Sequence, residues 1–131
     1  LAPGLRQLAG IALPRTPKWS GTMGIEYTQP LAPEGRIVAR LDGYYTDDYS
    51  FSAAGVAAAV PYVVQDSYAI GNASLSYEGS GEHVHWSVGA FVNNFTDEFY
   101  WTSVLPLASS GGHVGFAGAP RTWGVRLQMS Y

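Results

Sequence analysis

Arg121-Thr122-Trp123-Gly124-Val125-Arg126-Leu127-Gln128-Met129-Ser130-Tyr131 decides the fold. From Trp123 onward the odd positions carry Trp, Val, Leu, Met and Tyr, and the even positions Gly, Arg, Gln and Ser. Successive side chains of a strand point to opposite faces, so one face is apolar and the other polar. No stripe at helical spacing competes with this period of two. A tilted strand needs about 9–11 residues to cross hydrocarbon, and the stretch has that length. It reads as one stave of a membrane barrel.

The same alternation recurs four times upstream. Trp19 to Thr28 sets Trp19, Gly21, Met23, Ile25 and Tyr27 against Ser20, Thr22, Gly24, Glu26 and Thr28. Arg36 to about Tyr49 sets Ile37, Ala39, Leu41, Gly43 and Tyr45 against Val38, Arg40, Asp42, Tyr44 and Thr46. Ser67 to Glu78 opposes Ala69, Gly71, Ala73, Leu75 and Tyr77 to Tyr68, Ile70, Asn72, Ser74 and Ser76. Val84, Trp86, Val88, Ala90 and Val92 face away from His85, Ser87, Gly89, Phe91 and Asn93. Pro30, Pro33 and Gly35 make 29–35 a turn, and Gly79-Ser80-Gly81 is a second, tight one. Leu1 to Thr16, with no sustained alternation, reads as loop. Phe51 to Asp66 is expected to be a long loop; alanine would permit a short helix over 53–61, within the limits set by Gly55 and Pro61. A second long connection spans 94–120 and extends the strands some way before it turns.

Five strands joined alternately by short turns and long loops match outer-membrane barrels, which have short periplasmic turns and longer extracellular loops. Such barrels also carry aromatic girdles at both interfaces. On the apolar face Tyr27, Tyr77, Trp86 and Tyr131 fall at the short-turn end, and Trp19, Tyr45 and Trp123 at the long-loop end. The charged strand residues Glu26, Arg40, Asp42 and Arg126 all take the opposite parity. A soluble β-sandwich also segregates charge, but has no reason to sort its aromatics into two bands. Five strands cannot close, because the smallest such barrels use about eight and an open sheet in lipid leaves backbone groups unpaired.

Composition agrees. Charged residues make up 13% of the chain, against about 25% in a typical soluble domain. Aromatic residues reach 14%. The formal net charge of −3 is too small to suggest a nucleic-acid partner. With no cysteine there is neither a disulfide framework nor a thiolate metal site. No apolar run approaches the ~20 residues of a membrane helix, and Leu1 to Arg6 lacks the basic start and apolar core of a signal peptide.

Four motifs carry a family resemblance: Leu13-Pro14-Arg15-Thr16-Pro17-Lys18-Trp19, the Tyr68 to Tyr77 segment, Asn94-Phe95-Thr96-Asp97-Glu98-Phe99-Tyr100, and Pro120-Arg121-Thr122-Trp123-Gly124-Val125 before a terminal aromatic. In order and spacing they resemble the C-terminal portion of the barrel of TonB-dependent outer-membrane receptors, with Phe95 where Leu is usual and Tyr131 where Phe is commoner. The resemblance implies an all-β antiparallel meander of about five strands over 1–131, the C-terminal segment of a barrel similar to the 22-stranded transporters with a plugged lumen. It implies the outer membrane of a Gram-negative bacterium and energy-coupled uptake of a scarce large solute such as a ferric siderophore. The implied partners are outer-membrane lipid, the rest of the barrel and its plug domain, the TonB system acting through an upstream part, and the barrel-assembly machinery. The export signal, plug and remaining strands would lie upstream.

Candidate site residues follow. The resemblance makes the polar face the lumen wall, with Glu26, Arg40, Asp42, Tyr44, Asn72 and Arg126 as lumen-facing candidates. Arg40 and Asp42, successive on that face, are expected to form a wall ion pair or to contact the plug. Tyr44, Arg40 and Asn72 either line a ligand route or form a wet polar wall. Trp123, Val125, Leu127, Met129 and Tyr131 are the ridge that the assembly machinery is expected to read. His83 and His85 beside Glu82 are a metal pair or, the favoured reading, a solvated turn. Asp47 and Asp48 fall far short of the six to eight oxygens that calcium takes, and His113 sits among glycines in the second loop. No nucleophile elbow or zinc-ligand helix occurs, so no enzyme, cofactor or metal centre is expected. A small structural or adhesive outer-membrane barrel and a soluble β-sandwich binding module are the alternatives.

Overall fold

A computed structural model describes residues 13–31, 34–52, 63–107 and 112–131. Five strands form one antiparallel sheet: β1 (Ser20–Leu31), β2 (Gly35–Thr46), β5 (Tyr68–Ser80), β6 (His85–Asn93) and β9 (Thr122–Ser130), in the order β1-β2-β5-β6-β9. Two hairpins interrupt the meander at the long-loop end. One joins β3 (Tyr49–Ser50) to β4 (Val64–Gln65), the other β7 (Trp101–Leu107) to β8 (Gly112–Ala117).

The register preserves both faces across the sheet. Ile25, Leu41, Ala73, Val92 and Trp123 stand opposite one another in one row. Glu26, Arg40, Ser74, Phe91 and Gly124 form a row of the other face, so successive rows of one face lie two residues apart. Directly opposed residues share a face, and a slip of one residue would turn a whole strand over. The faces expected from the alternation are the ones observed.

Among the described residues nothing covers the apolar face. Met23 is 78% exposed and Leu127 77%. The buried apolar side chains among the described residues are Val38, Phe51, Val63 and Val104, and the last three pack together between the two hairpins. A sandwich would bury the inner face of this sheet under a second one about 10 Å away; none exists among the described residues. Nor is any described helix long and apolar enough to cross a membrane.

Several boundaries differ from expectation. The turn expected at 29–35 is shorter, because Pro30 and Leu31 remain in β1 opposite Arg36 and Gly35. Proline has no N–H to give to a ladder, and Pro30 is accommodated at the end of the strand, next to its last residue Leu31. Gly79 and Ser80 likewise stay in β5, opposite Trp86 and His85. The chain turns at 81–84 instead, where the Gly81 N–H donates to the Val84 carbonyl at 2.8 Å. The second strand stops at Thr46 rather than near Tyr49, and Tyr49 starts a separate strand. The connection 94–120 contains β7 and β8, and the far end of 51–66 pairs as β4 with β3, which lies just before it. The short helix considered over 53–61 lies outside the described residues.

Glycines let aromatic rings lie flat on neighbouring strands. A Cβ on Gly79 would meet the Trp86 indole within 2.7 Å, and one on Gly124 the Phe91 ring at 2.9 Å. Tyr77 covers Gly35 and Phe95 covers Gly71 in the same way. Glycine weakens a strand interior, and a cross-strand ring restores the lost contact while fixing the register.

The girdle aromatics step regularly across the rows. Along β1, Tyr27 is followed by Gln29, level with Tyr77 of β5, and then by Leu31, level with Trp86 of β6. Met129 is level with Leu31, so Tyr131 projects one row further. At the other end Trp19 stands three rows above Ile25, the residue level with Trp123. Both bands therefore descend by three rows, about 20 Å at ~3.3 Å per residue, over four strand spacings of about 4.8 Å. Each band is level in a membrane only if the strands tilt by about 45°, close to the 35–45° of outer-membrane barrels. With the full-length protein in a bilayer, spin labels at positions 27 and 131 are expected at one depth and labels at 19 and 123 at another. Upright strands would separate 27 from 131 by about 20 Å, and depth-resolved electron paramagnetic resonance would show it.

Candidate functional site

The polar face carries all six expected wall residues, and cross-strand geometry decides their partners. Arg40 donates from Nε to Oε2 of Glu26, its opposite on β1. Arg36 grips Glu78 in the same manner, at 2.7 Å from Nε and 2.6 Å from Nη2. The expected Arg40–Asp42 pair is not made. Residues two apart on a strand are separated by about 6.6–6.8 Å, whereas directly opposed residues approach to about 4.5–5.5 Å, so Glu26 captures the guanidinium. Asp42 instead accepts from Nδ2 of Asn72 at 2.6 Å. The Arg126 guanidinium lies 5.4 Å from the centre of the Phe91 ring, and Tyr44 meets Tyr68 edge to face at 6.0 Å. The ion pairs are exposed and contribute at most about 1 kcal/mol each; their effect is to neutralise charge along a wetted wall. Near the short turns a cavity of about 790 Å³ opens between Thr28, Arg36, Glu78, Ser87 and Gln128.

At the long-loop end this wall runs into the Asn94 motif. Asn94, 3% exposed, adopts a left-handed φ of 51°, which asparagine tolerates better than most residues. Its Nδ2 donates to the carbonyls of Glu98 (2.9 Å) and Ala119 (3.1 Å). Its Oδ1 accepts from the Glu98 N–H at 3.0 Å. The Thr96 hydroxyl lies 3.1 Å from both Asn94 Oδ1 and the Ala69 carbonyl, and donates to one at a time. The Asn94 N–H donates to Oδ1 of Asn72 at 2.9 Å. Asp97 pairs with Arg121 at 3.0 Å, which ties this motif to the one that opens β9.

Beyond the motif, the two hairpins hold each other. The Trp101 N–H donates to Oε1 of buried Gln65 at 2.7 Å. Tyr100 stacks on Tyr68 with ring centres 4.7 Å apart. Arg15 reaches over the Phe51 ring and donates from Nη2 to Ser103 Oγ at 2.8 Å. Sequence reasoning missed Gln65, Tyr100 and the clamp at Asn94. Asparagine within a strand at position 72, where it is disfavoured, was the available signal.

No group of three or more His, Cys, Asp or Glu among the described residues is placed to hold a metal ion. Glu82 and His83 are exposed at the 81–84 turn, and His85 opens β6 opposite Ser80 and Ser130.

Residues 3–95 match the family model described as TonB dependent receptor-like, beta-barrel. The chain belongs to this family. No solved structure matches it. TonB-dependent receptors are outer-membrane barrels of receptor and transport function, not enzymes, and the five-stranded antiparallel meander is a segment of such a barrel wall. The match covers β1 to β6 and ends at the second residue of the Asn94 motif. The place of β9 rests separately on its unbroken pairing with β6 from His85–Ser130 to Asn93–Thr122.

This receptor wall makes the two faces unequal toward charge. Leu41→Arg on the apolar face is expected to lower the stability of the full-length barrel by about 2–4 kcal/mol, the value for arginine at mid-bilayer. Arg40→Leu, one residue away, is expected to change it by less than about 1 kcal/mol, as for an exposed pair. Denaturant titration in lipid vesicles distinguishes them, and equal losses would contradict the assignment of faces.

Proposed function

We propose that this chain supplies five staves and two outer hairpins of an importer that takes up a scarce large solute, such as a ferric siderophore, at the expense of inner-membrane energy. The observation that supports this best is the two-faced sheet: an uncharged, largely exposed apolar side stepped like a tilted barrel wall, and an ion-paired, hydrogen-bonded polar side. In this reading the apolar side meets outer-membrane lipid. Gly21 and Gly43 leave a hollow of about 490 Å³ beside Trp19, Met23 and Tyr45, which acyl chains would fill.

Glu26, Arg40, Asp42, Tyr44, Asn72 and Arg126 then face the lumen. A wall in which Arg40 and Arg36 are neutralised by Glu26 and Glu78, while Asp42 and Arg126 are held by Asn72 and the Phe91 ring, suits a solute that must pass without being trapped. The plug, the segment that engages the TonB system and the other strands belong upstream. Upstream strands also resolve the open edges of β1 and β9, since unpaired backbone is not tolerated in hydrocarbon. Cells carrying the full-length receptor are expected to accumulate a labelled ferric siderophore only while the inner membrane is energised. Equal accumulation after the proton gradient is collapsed would overturn the importer reading.

We also assign Trp123, Val125, Leu127, Met129 and Tyr131 as the ridge read by the barrel-assembly machinery. Tyr131 completes the ridge at the lower girdle, where an aromatic ring can sit at the lipid boundary with its hydroxyl in water. In the full-length receptor Tyr131→Asp is expected to reduce the folded barrel in the outer membrane severalfold, and Tyr131→Phe to leave it unchanged. Solute affinity per folded receptor stays constant in both, because this end is remote from the outer hairpins. Surface abundance and heat-modifiable mobility are the measurements; normal assembly of the Asp variant with weakened binding would refute the assignment.

A further inference from the structure

We infer that Asn94 is a positioning residue that locks the β7–β8 hairpin in a single pose over the polar-face side of the sheet, and that solute capture depends on that lock; the second half rests on the importer reading. The two carbonyls that take the Asn94 amide protons belong to Glu98 and Ala119, one on each foot of the hairpin. A single side chain therefore spans the segments leading into β7 and out of β8. The feet also pair directly, the Gly118 N–H donating to the Tyr100 carbonyl at 2.7 Å.

The hydrogen-bonding capacity of this residue is fully used. A carboxamide offers two N–H protons and two acceptor lone pairs. Here the protons go to Glu98 and Ala119, and Oδ1 faces the Glu98 N–H and the Thr96 hydroxyl. The main-chain carbonyl accepts from the Asp97 N–H at 2.9 Å, and the main-chain N–H donates to Asn72. Asn72 in turn donates to Asp42, so the clamp is anchored in the wall and not in another loop. Tyr100 on Tyr68, a polar-face ring, sets the direction in which the hairpin leans.

Asparagine is required for its chemistry rather than its shape. Aspartate has the same outline and also tolerates a positive φ, but it carries no proton to donate. It would turn a carboxylate oxygen toward two carbonyl oxygens about 3 Å away. An unsatisfied buried acceptor is expensive, and the feet would part.

The test uses the full-length receptor in lipid, with spin labels at Leu105 on the hairpin and Thr22 on β1. Asn94→Asp is compared with Asn93→Asp, the same change on the neighbouring exposed residue. Asn94→Asp is expected to at least double the width of the label-to-label distance distribution and to weaken binding of a ferric siderophore about tenfold. Asn93→Asp should leave both unchanged. If Asn94→Asp fails to fold by heat-modifiable mobility, Thr96→Val, which removes one hydroxyl from the cluster, should give a smaller broadening in the same direction. An unchanged width in the folded variant overturns the lock. A broadened distribution with unchanged affinity overturns the dependence of capture on it. A wild-type receptor that binds no siderophore refutes the ferric siderophore as the imported solute instead, and the distance widths still decide the clamp.

Discussion

Every peptide group that enters hydrocarbon must be paired within the protein, because no water is available there to satisfy it. The ladder therefore comes first in this structure, and packing second. From β1 to β9 the pairing runs without a bulge through all four interfaces of the large sheet, and the one register shift among the described residues falls in the β7–β8 hairpin, beyond its end. The same solvent boundary decides where a core can form. On the sheet, apolar side chains gain nothing by packing on one another, since lipid is as apolar as they are. Phe51, Val63 and Val104 lie where the chain leaves the sheet, and only there do they cluster as in a water-soluble protein. The exposed Met23, Ile25, Val125 and Leu127 follow from the same rule.

How much of this was legible in the sequence depends on how local each signal is. A period of two held over eight or more residues is local, so five strands, their order and their faces could be read directly. Strand ends were less legible, because Pro30 and Gly79 are turn formers by type but are kept in register, Pro30 opposite Arg36 and Gly79 under the Trp86 ring. The hairpins escaped for a different reason. β3 and β4 have two residues each, too short to show a period, and β7 contains the register shift between Trp101 and Ser103. The expected Arg40–Asp42 contact shows the limit of reading along one strand, since the partner that matters stands on the next. The Asn72–Asn94–Glu98–Ala119 cluster joins residues up to 47 positions apart (72 to 119), and no spacing rule points to it.

Glycine and aromatic residues make sense together here. A sheet with no core on either side among the described residues has few contacts to specify its register. Rings laid across strands onto Gly35, Gly71, Gly79 and Gly124 supply such contacts on both faces. Tyr77 and Trp86, 5.3 Å apart, also belong to the lower aromatic band. Interface anchoring and register are thus met by the same side chains, and a slip of one row would break both.

The spacing of the bands carries the argument to the whole wall. On β1 the girdle residues are Trp19 and Tyr27, and on β9 they are Trp123 and Tyr131; each pair is eight residues apart. Eight residues cover about 26 Å along a strand, or nearly 20 Å of depth at a tilt of about 45°, within reach of the ~25 Å apolar band of such barrels. The first and last strands of the sheet thus span the same thickness, although their aromatic ends are offset by three rows. A steady stagger at constant thickness is what a cylinder demands and what a flat, upright sheet would not produce. The tilt of the strands is in this sense already written into the aromatic positions of these five strands. The wall leaves the wet end unconstrained, and there Asn94 bridges the two feet of the β7–β8 hairpin.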